Sequence, residues 1–220
     1  MVNTTQRERF SEAHWFDPSI VVTIGGLGSI GSWLCFMMSR LVDKIYVYDF
    51  DKVEEVNMAG QIYGSRDLNK IKTEACSDMV SNYSPGTTII QRSKFEKESP
   101  VTPICFAGFD SMQARKDMFE SWKKLENREL FVDGRLTAEQ LWVYAVVKGK
   151  ESEYEKYLFS DDEVEDLPCS FKSTTHISSM IASIMTVMFT NYIANKKTEG
   201  MAVVPFETAY TAPLNMYDVI

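Results

Sequence analysis

No run of eighteen apolar residues occurs in the 220-residue sequence, and its first ten residues, MVNTTQRERF, are polar. Neither a membrane span nor a secretory leader is therefore expected. The four cysteines, Cys35, Cys76, Cys105 and Cys169, stand far apart with no C-x-x-C pair. That spacing argues against a disulfide framework and against structural zinc, so the thiols are expected to be reduced and the chain cytoplasmic. Positive charge is also scarce: 23 Lys and Arg face 31 Asp and Glu, a net charge of −8. A surface without a basic stripe repels a phosphate backbone, which excludes DNA and RNA as expected partners. No Pro/Gly/Ser linker, internal repeat or low-complexity tract divides the sequence, and 220 residues at 45% hydrophobic suffice to bury one core.

What is present alternates between two periodicities. Ser19 to Ile24 is a β-branched run ending in glycines, as a buried parallel strand feeding a turn would be. Residues 32–41 read as an apolar helix, and Lys44 to Tyr48 as a second strand, so the opening fifty residues form one β-α-β unit. A helix is predicted over 66–81, a strand over 87–90, a short strand over 103–107 and a charged amphipathic helix over 111–126. Strands at 129–133 and 140–147 lie too close together for a helical crossover, so one of them is predicted to run antiparallel and the sheet to be mixed. The acidic stretch 151–166 reads as a solvated loop, with a recognition surface as the other reading. An apolar helix over 177–194 and an edge strand over 201–210 complete the pattern.

Gly26-Leu27-Gly28-Ser29-Ile30-Gly31 fits G-x-G-x-x-G between a predicted strand and a predicted helix. In that context glycines let the backbone approach phosphate, while the helix N-terminus offers free N–H donors and partial positive charge. A tight turn that needs glycine only for packing is the bland alternative. Asp49 ends the second strand at the distance where a carboxylate accepts bonds from ribose hydroxyls. These features alone suit a nicotinamide-dependent oxidoreductase equally well.

The residues that follow decide otherwise. Asp49-Phe50-Asp51-Lys52-Val53 followed by Asn57-Met58 and Gln61 resembles the D-x-D-x-V...N-L-x-R-Q signature of the ThiF/MoeB and ubiquitin-activating enzymes. Lys72 matches that family's lysine at the start of the next helix, Ala107-Gly108-Phe109-Asp110 its strand-end aspartate, and Val132-Asp133-Gly134 with Gln140 to Val143 its later strand pair. The likeness runs from about residue 5 to 195. It implies a Rossmann-like three-layer α/β fold with a mixed, mostly parallel sheet flanked by helices, and an adenylyltransferase using ATP and Mg2+. On this reading 1–18 is an N-terminal arm, 19–147 the nucleotide-binding core, 148–172 a crossover loop and 173–220 a C-terminal helix and edge strand, all in one domain. The resemblance implies that Gly26, Gly28, Ser29, Gly31, Asp49 and Asp51 hold the nucleotide. Lys72 would stabilise charge on the departing pyrophosphate, Asp110 would hold magnesium, and Asn57 and Gln61 would orient phosphate or the incoming carboxylate.

One position departs from the signature, because Gly60 stands where the family has arginine. Some relatives supply an arginine from a partner subunit's N-terminal helix. Arg7 or Arg9 would take that part here, which implies a homodimer; the other reading leaves both as solvent-facing decoration. The resemblance also offers a substrate, the C-terminal glycine of a ubiquitin-like β-grasp protein of the ThiS/MoaD kind. Cys169 would then accept the acyl group as a thioester, with Lys172 favouring its thiolate and His176 assisting, or else serve as a small apolar plug. The alternatives are a catalytically weakened nucleotide-binding scaffold and, last, an oxidoreductase.

Overall fold

A computed structural model of the chain describes residues 4–160 and 173–220. Among the described residues eight strands form one sheet in the order β3-β2-β1-β4-β5-β6-β7-β8. β1 (Val21–Gly25), β2 (Lys44–Tyr48), β3 (Thr88–Arg92), β4 (Ile104–Ala107) and β5 (Leu130–Thr137) are parallel. β6 (Gln140–Val147), β7 (Glu207–Thr211) and β8 (Met216–Val219) continue the sheet antiparallel. The predicted mixed sheet is thus present, and the tight β5–β6 connection reverses direction as its length requires.

Helices cover both faces. On one lie α1 (Ser29–Ser39), α2 (Lys72–Tyr83) and α5 (Thr175–Lys197); on the other, α3 (Met112–Lys123) and α4 (Glu151–Glu155). The two cores differ in kind. Beneath α1 and α5 the packing is aliphatic, with Val22, Ile24, Leu34, Ile181, Met185 and Phe189 among its buried residues. Beneath α3 and α4 it is aromatic, built on Phe119, Trp122, Phe131 and Tyr154. α5 is long and apolar enough to cross a membrane by length and composition, yet Ile177, Ile181, Ile184 and Met188 are buried in the core it shares with α1 and the sheet.

Three expectations need correction. The helix predicted over 66–81 begins only at Lys72. Residues Ser65–Asp67 make a separate 3-10 turn, and Asn69, at φ 68°, breaks the path because a left-handed residue cannot continue a right-handed helix. The acidic stretch is no plain loop where it is described, since 151–155 is helical. Tyr154 drops into the aromatic core and Glu151 pairs with Arg128 at 2.6 Å, enough to order a short charged helix. The last strand is not the edge: β7 is interior, and β8 follows it across a 3-10 turn at Ala212–Leu214, with Asn215 left-handed at φ 48°. Asn tolerates that region better than most residues, which allows the hairpin.

Candidate nucleotide site

The strand order reverses between β1 and β4, whose connections leave in opposite directions across the sheet. A crevice forms outside the carboxyl ends of strands at such a point, and ligands of open α/β sheets bind there. The glycine turn sits at its mouth. Gly26 has φ +80°, and a Cβ on Gly31 would lie 1.8 Å from the Gly26 carbonyl oxygen, so both positions require glycine for the chain to enter α1. No described residue lies within 4 Å of the place a Cβ would take on Gly28, so among the described residues the space over the first turn of α1 is open. Among the described residues no side chain caps that helix end, which leaves its first N–H groups to the opening.

Around this turn the structure gathers most of the residues singled out by the sequence. Asp49 is buried, with Oδ2 accepting from the Leu27 N–H at 2.7 Å and Oδ1 from the Asp51 N–H at 2.8 Å. Burial raises its pKa against the opposing pull of those donors and of Lys72. Asp49 therefore holds the glycine turn in place, and the half-exposed Asp51 presents the freer carboxylate of the pair. Lys72 opens α2. Its N–H bonds the Asp51 carbonyl at 2.8 Å, and its ammonium, 8% exposed, meets Asp51 Oδ2 at 3.1 Å.

Asn57 lies within a 3-10 turn, Glu55–Ala59, and Gln61 follows it. Asn57 Oδ1 accepts from the Glu54 N–H at 3.0 Å, closing its own turn. Gln61 Oε1 is buried and has no hydrogen-bond partner among the described residues, the kind of orphaned acceptor a ligand donor would satisfy. Ser29, at the start of α1, bonds Ser173 across 2.8 Å.

Asp110 lies on the other side of the crevice, exposed at the carboxyl end of β4. It is two residues beyond Gly108, whose backbone packs against Gly26 and Gly31. No group of three or more His, Cys, Asp or Glu among the described residues could hold a metal ion, so a cation at Asp110 would take most of its ligands from phosphate oxygens and water.

Two residues missed by sequence reasoning support this arrangement. Tyr63, buried, donates its hydroxyl to the Leu27 carbonyl at 3.0 Å and lies 3.4 Å from that of Lys72, tying the glycine turn to the start of α2. Arg115 on α3 donates to Asp133, to the Gly134 carbonyl and to the Phe109 carbonyl, and so fixes the turn that carries Asp110. Asp133 is fully buried and also accepts from Arg135 Nε at 2.6 Å and the Tyr154 hydroxyl at 2.8 Å. Nothing in the local sequence marked Arg115, which reads as one charge among many on an amphipathic helix.

Arg7 is a correction. Its guanidinium is buried against Asp43, the Ser39 and Val42 carbonyls and Thr87 of its own chain, at the amino edge of the sheet and away from the glycine turn. It is neither solvent decoration nor a free donor for a second subunit; Arg9 is exposed. Cys169 and Lys172 lie outside the described residues. Cys35 and Cys76 are fully buried with their sulfurs 2.8 Å apart, and Cys105 is buried in β4. The hydrogen bond to Cys35, together with burial, holds the Cys76 thiol well above its ordinary pKa, and burial raises that of Cys105, so neither is a ready nucleophile.

A mixed sheet between two helical layers, with a glycine turn and an acid-lysine cluster at its switch point, defines a Rossmann-like nucleotide-binding protein. The chain belongs to the ThiF family, whose model matches residues 18–210. Solved structures agree in fold. Escherichia coli MccB with ATP superimposes with a TM-score of 0.70 at 14% identity over 92% of this chain and 64% of that one. MccB with AMPCPP and MccA gives 0.76 at 12% identity over 100% and 72%. PaaA gives 0.70 at 15% identity over 98% and 65%. The chain thus spans about two thirds of the length of these proteins. None of the curated proteins compared with it matches.

Proposed function

We propose that this chain binds ATP at the mouth of α1 and activates a carboxylate by adenylation. The observation that carries the reading is the convergence of the glycine turn, Asp49, Asp51 and Lys72 on the open space over Gly28. Gly26, Gly28, Ser29 and Gly31 let the triphosphate approach backbone N–H groups, and Asp49, with Asp51 beside it, takes the ribose hydroxyls. Lys72 exchanges its ion pair with Asp51 for the phosphates. As the carboxylate oxygen attacks the α-phosphorus, the bond to the bridging oxygen breaks, and Lys72 stabilises the charge gathering on pyrophosphate. Asp110 would hold magnesium, which would neutralise phosphate charge, while Asn57 and Gln61 orient the reacting groups.

The substrate we favour is a protein or peptide C-terminus, with a ThiS/MoaD-like β-grasp protein as the leading candidate, thioester transfer to Cys169 as a following step, and a homodimer as the assembly. MccB has been solved together with AMPCPP and MccA, which supports a reading with a nucleotide and a second substrate. A second reading, a weakened or noncatalytic scaffold, draws on Gly60 standing where the signature has arginine.

Pyrophosphate exchange into ATP, measured with candidate partners, separates the two. The enzyme reading expects partner-dependent exchange that falls roughly 10²- to 10³-fold in Lys72→Ala, the size seen when one donor to developing charge is removed. ATP binding with no exchange for any carboxylate-ended partner selects the scaffold.

A further inference from the structure

Gly60 has φ −125°, a backbone conformation open to any residue, so strain does not explain the glycine. Space does. A Cβ at this position would lie 2.6 Å from Ser173 Oγ and 3.1 Å from Ser29 Oγ. These hydroxyls bond each other at 2.8 Å across 144 residues of sequence, one at the mouth of α1 and the other two residues before α5. Three further contacts hold them in register. Thr175 Oγ1 donates to the Ala59 carbonyl at 2.6 Å, Trp33 Nε1 to the Gly60 carbonyl at 2.9 Å, and Ser173 bridges to Ala138 at the end of the β5–β6 hairpin. The start of α5 is thus latched onto the turn that in the signature carries arginine, and a hydroxyl pair fills the space beside it.

We infer that Ser29 and Ser173 act together as the triphosphate donors that replace this arginine. The inference rests on the reading of the α1 mouth as an ATP site. On nucleotide binding the two hydroxyls exchange their mutual bond for phosphate oxygens, giving two neutral donors in place of one cation. Glycine at 60 is then a requirement of the pair, because any side chain there turns the Ser173 hydroxyl away from Ser29.

Calorimetric titration of the whole chain with ATP and, separately, with adenosine tests this, with thermal unfolding recorded for each variant. Ser173→Ala and Ser29→Ala are each expected to weaken ATP binding roughly tenfold, as loss of a hydrogen bond to a charged group does, with adenosine affinity and Tm unchanged. Gly60→Ala is expected to copy Ser173→Ala, and the double variant Gly60→Ala/Ser173→Ala to be no worse than Ser173→Ala alone, since both act on one hydroxyl. Thr175→Val removes one of the three contacts and leaves both hydroxyls with the Trp33 and Ala138 contacts, and separates a binding role from a merely structural one. If Thr175→Val reproduces the ATP defect, if adenosine binding falls in parallel, or if both serine variants bind ATP as the parent does, the inference is overturned. Absence of ATP binding by the parent chain would instead overturn the reading beneath it.

Discussion

Two buried arginines stand at opposite edges of the sheet and do similar chemistry to different ends. At the amino edge Arg7 gathers the last carbonyls of α1 and the start of β3, and its carboxylate partner Asp43 stays 37% exposed. At the carboxyl edge Arg115 shares a fully buried Asp133 with Arg135 and Tyr154, and holds the Phe109 carbonyl beside Asp110. The first closes the fold where no ligand is expected. The second is costlier, since its charges have lost their water and persist only as a satisfied set. A buried network of that kind at the crevice fits a part that must keep one shape.

The contrast breaks most readily at Asp133. Asp133→Asn removes the one carboxylate between two buried guanidinium groups, and a loss of about 3–5 kcal/mol in urea unfolding is expected; a loss below about 1 kcal/mol would mean the cluster does not depend on charge. Arg115→Met leaves Asp133 paired with Arg135 and Tyr154, so about 3 kcal/mol is expected at most. Because the Asp110 turn is also released, nucleotide affinity should fall along with stability. Arg7→Met removes the charged donor to two carbonyls and Thr87, whose hydroxyl still reaches both carbonyls, and strands no buried charge. Its expected cost is about 1–3 kcal/mol, with ATP affinity unchanged. A binding defect in Arg7→Met equal to that in Arg115→Met would erase the distinction between the edges.

What could be read from the sequence was what lies close along the chain. The strand-turn-helix around Gly26 to Gly31, the aspartates ending β2, and Lys72 opening α2 each carry a local signature, and their order in the chain gave the family. Tyr63, Ser173 and Arg115 carry none, because their partners lie on other elements: Tyr63 reaches back 36 residues to Leu27, and Ser173 144 residues to Ser29. Arg7 shows the same limit from the other side. A basic residue in a polar arm looks available until packing folds it beneath Thr87 and Val42. The boundary errors were also nonlocal or left-handed in origin, at Asn69, at Asn215 and at Tyr154 in its aromatic cluster.

Asp49 offers the smallest effect and the finest test of the carboxyl edge, because two influences oppose there. Burial raises its pKa, whereas the Leu27 and Asp51 N–H groups and Lys72 lower it, and burial prevails. A folded pKa raised above the unfolded value of 3.8 means the native state holds the proton longer. The resulting stability is then full below that unfolded value and is lost as pH rises through the folded one. Asp49→Asn has no such titration, so the stability of the parent relative to this variant should decline with rising pH across that window, while groups common to both cancel. A rise instead would show that the main-chain donors outweigh desolvation, and that Asp49 is held as an anion by the very turn it positions.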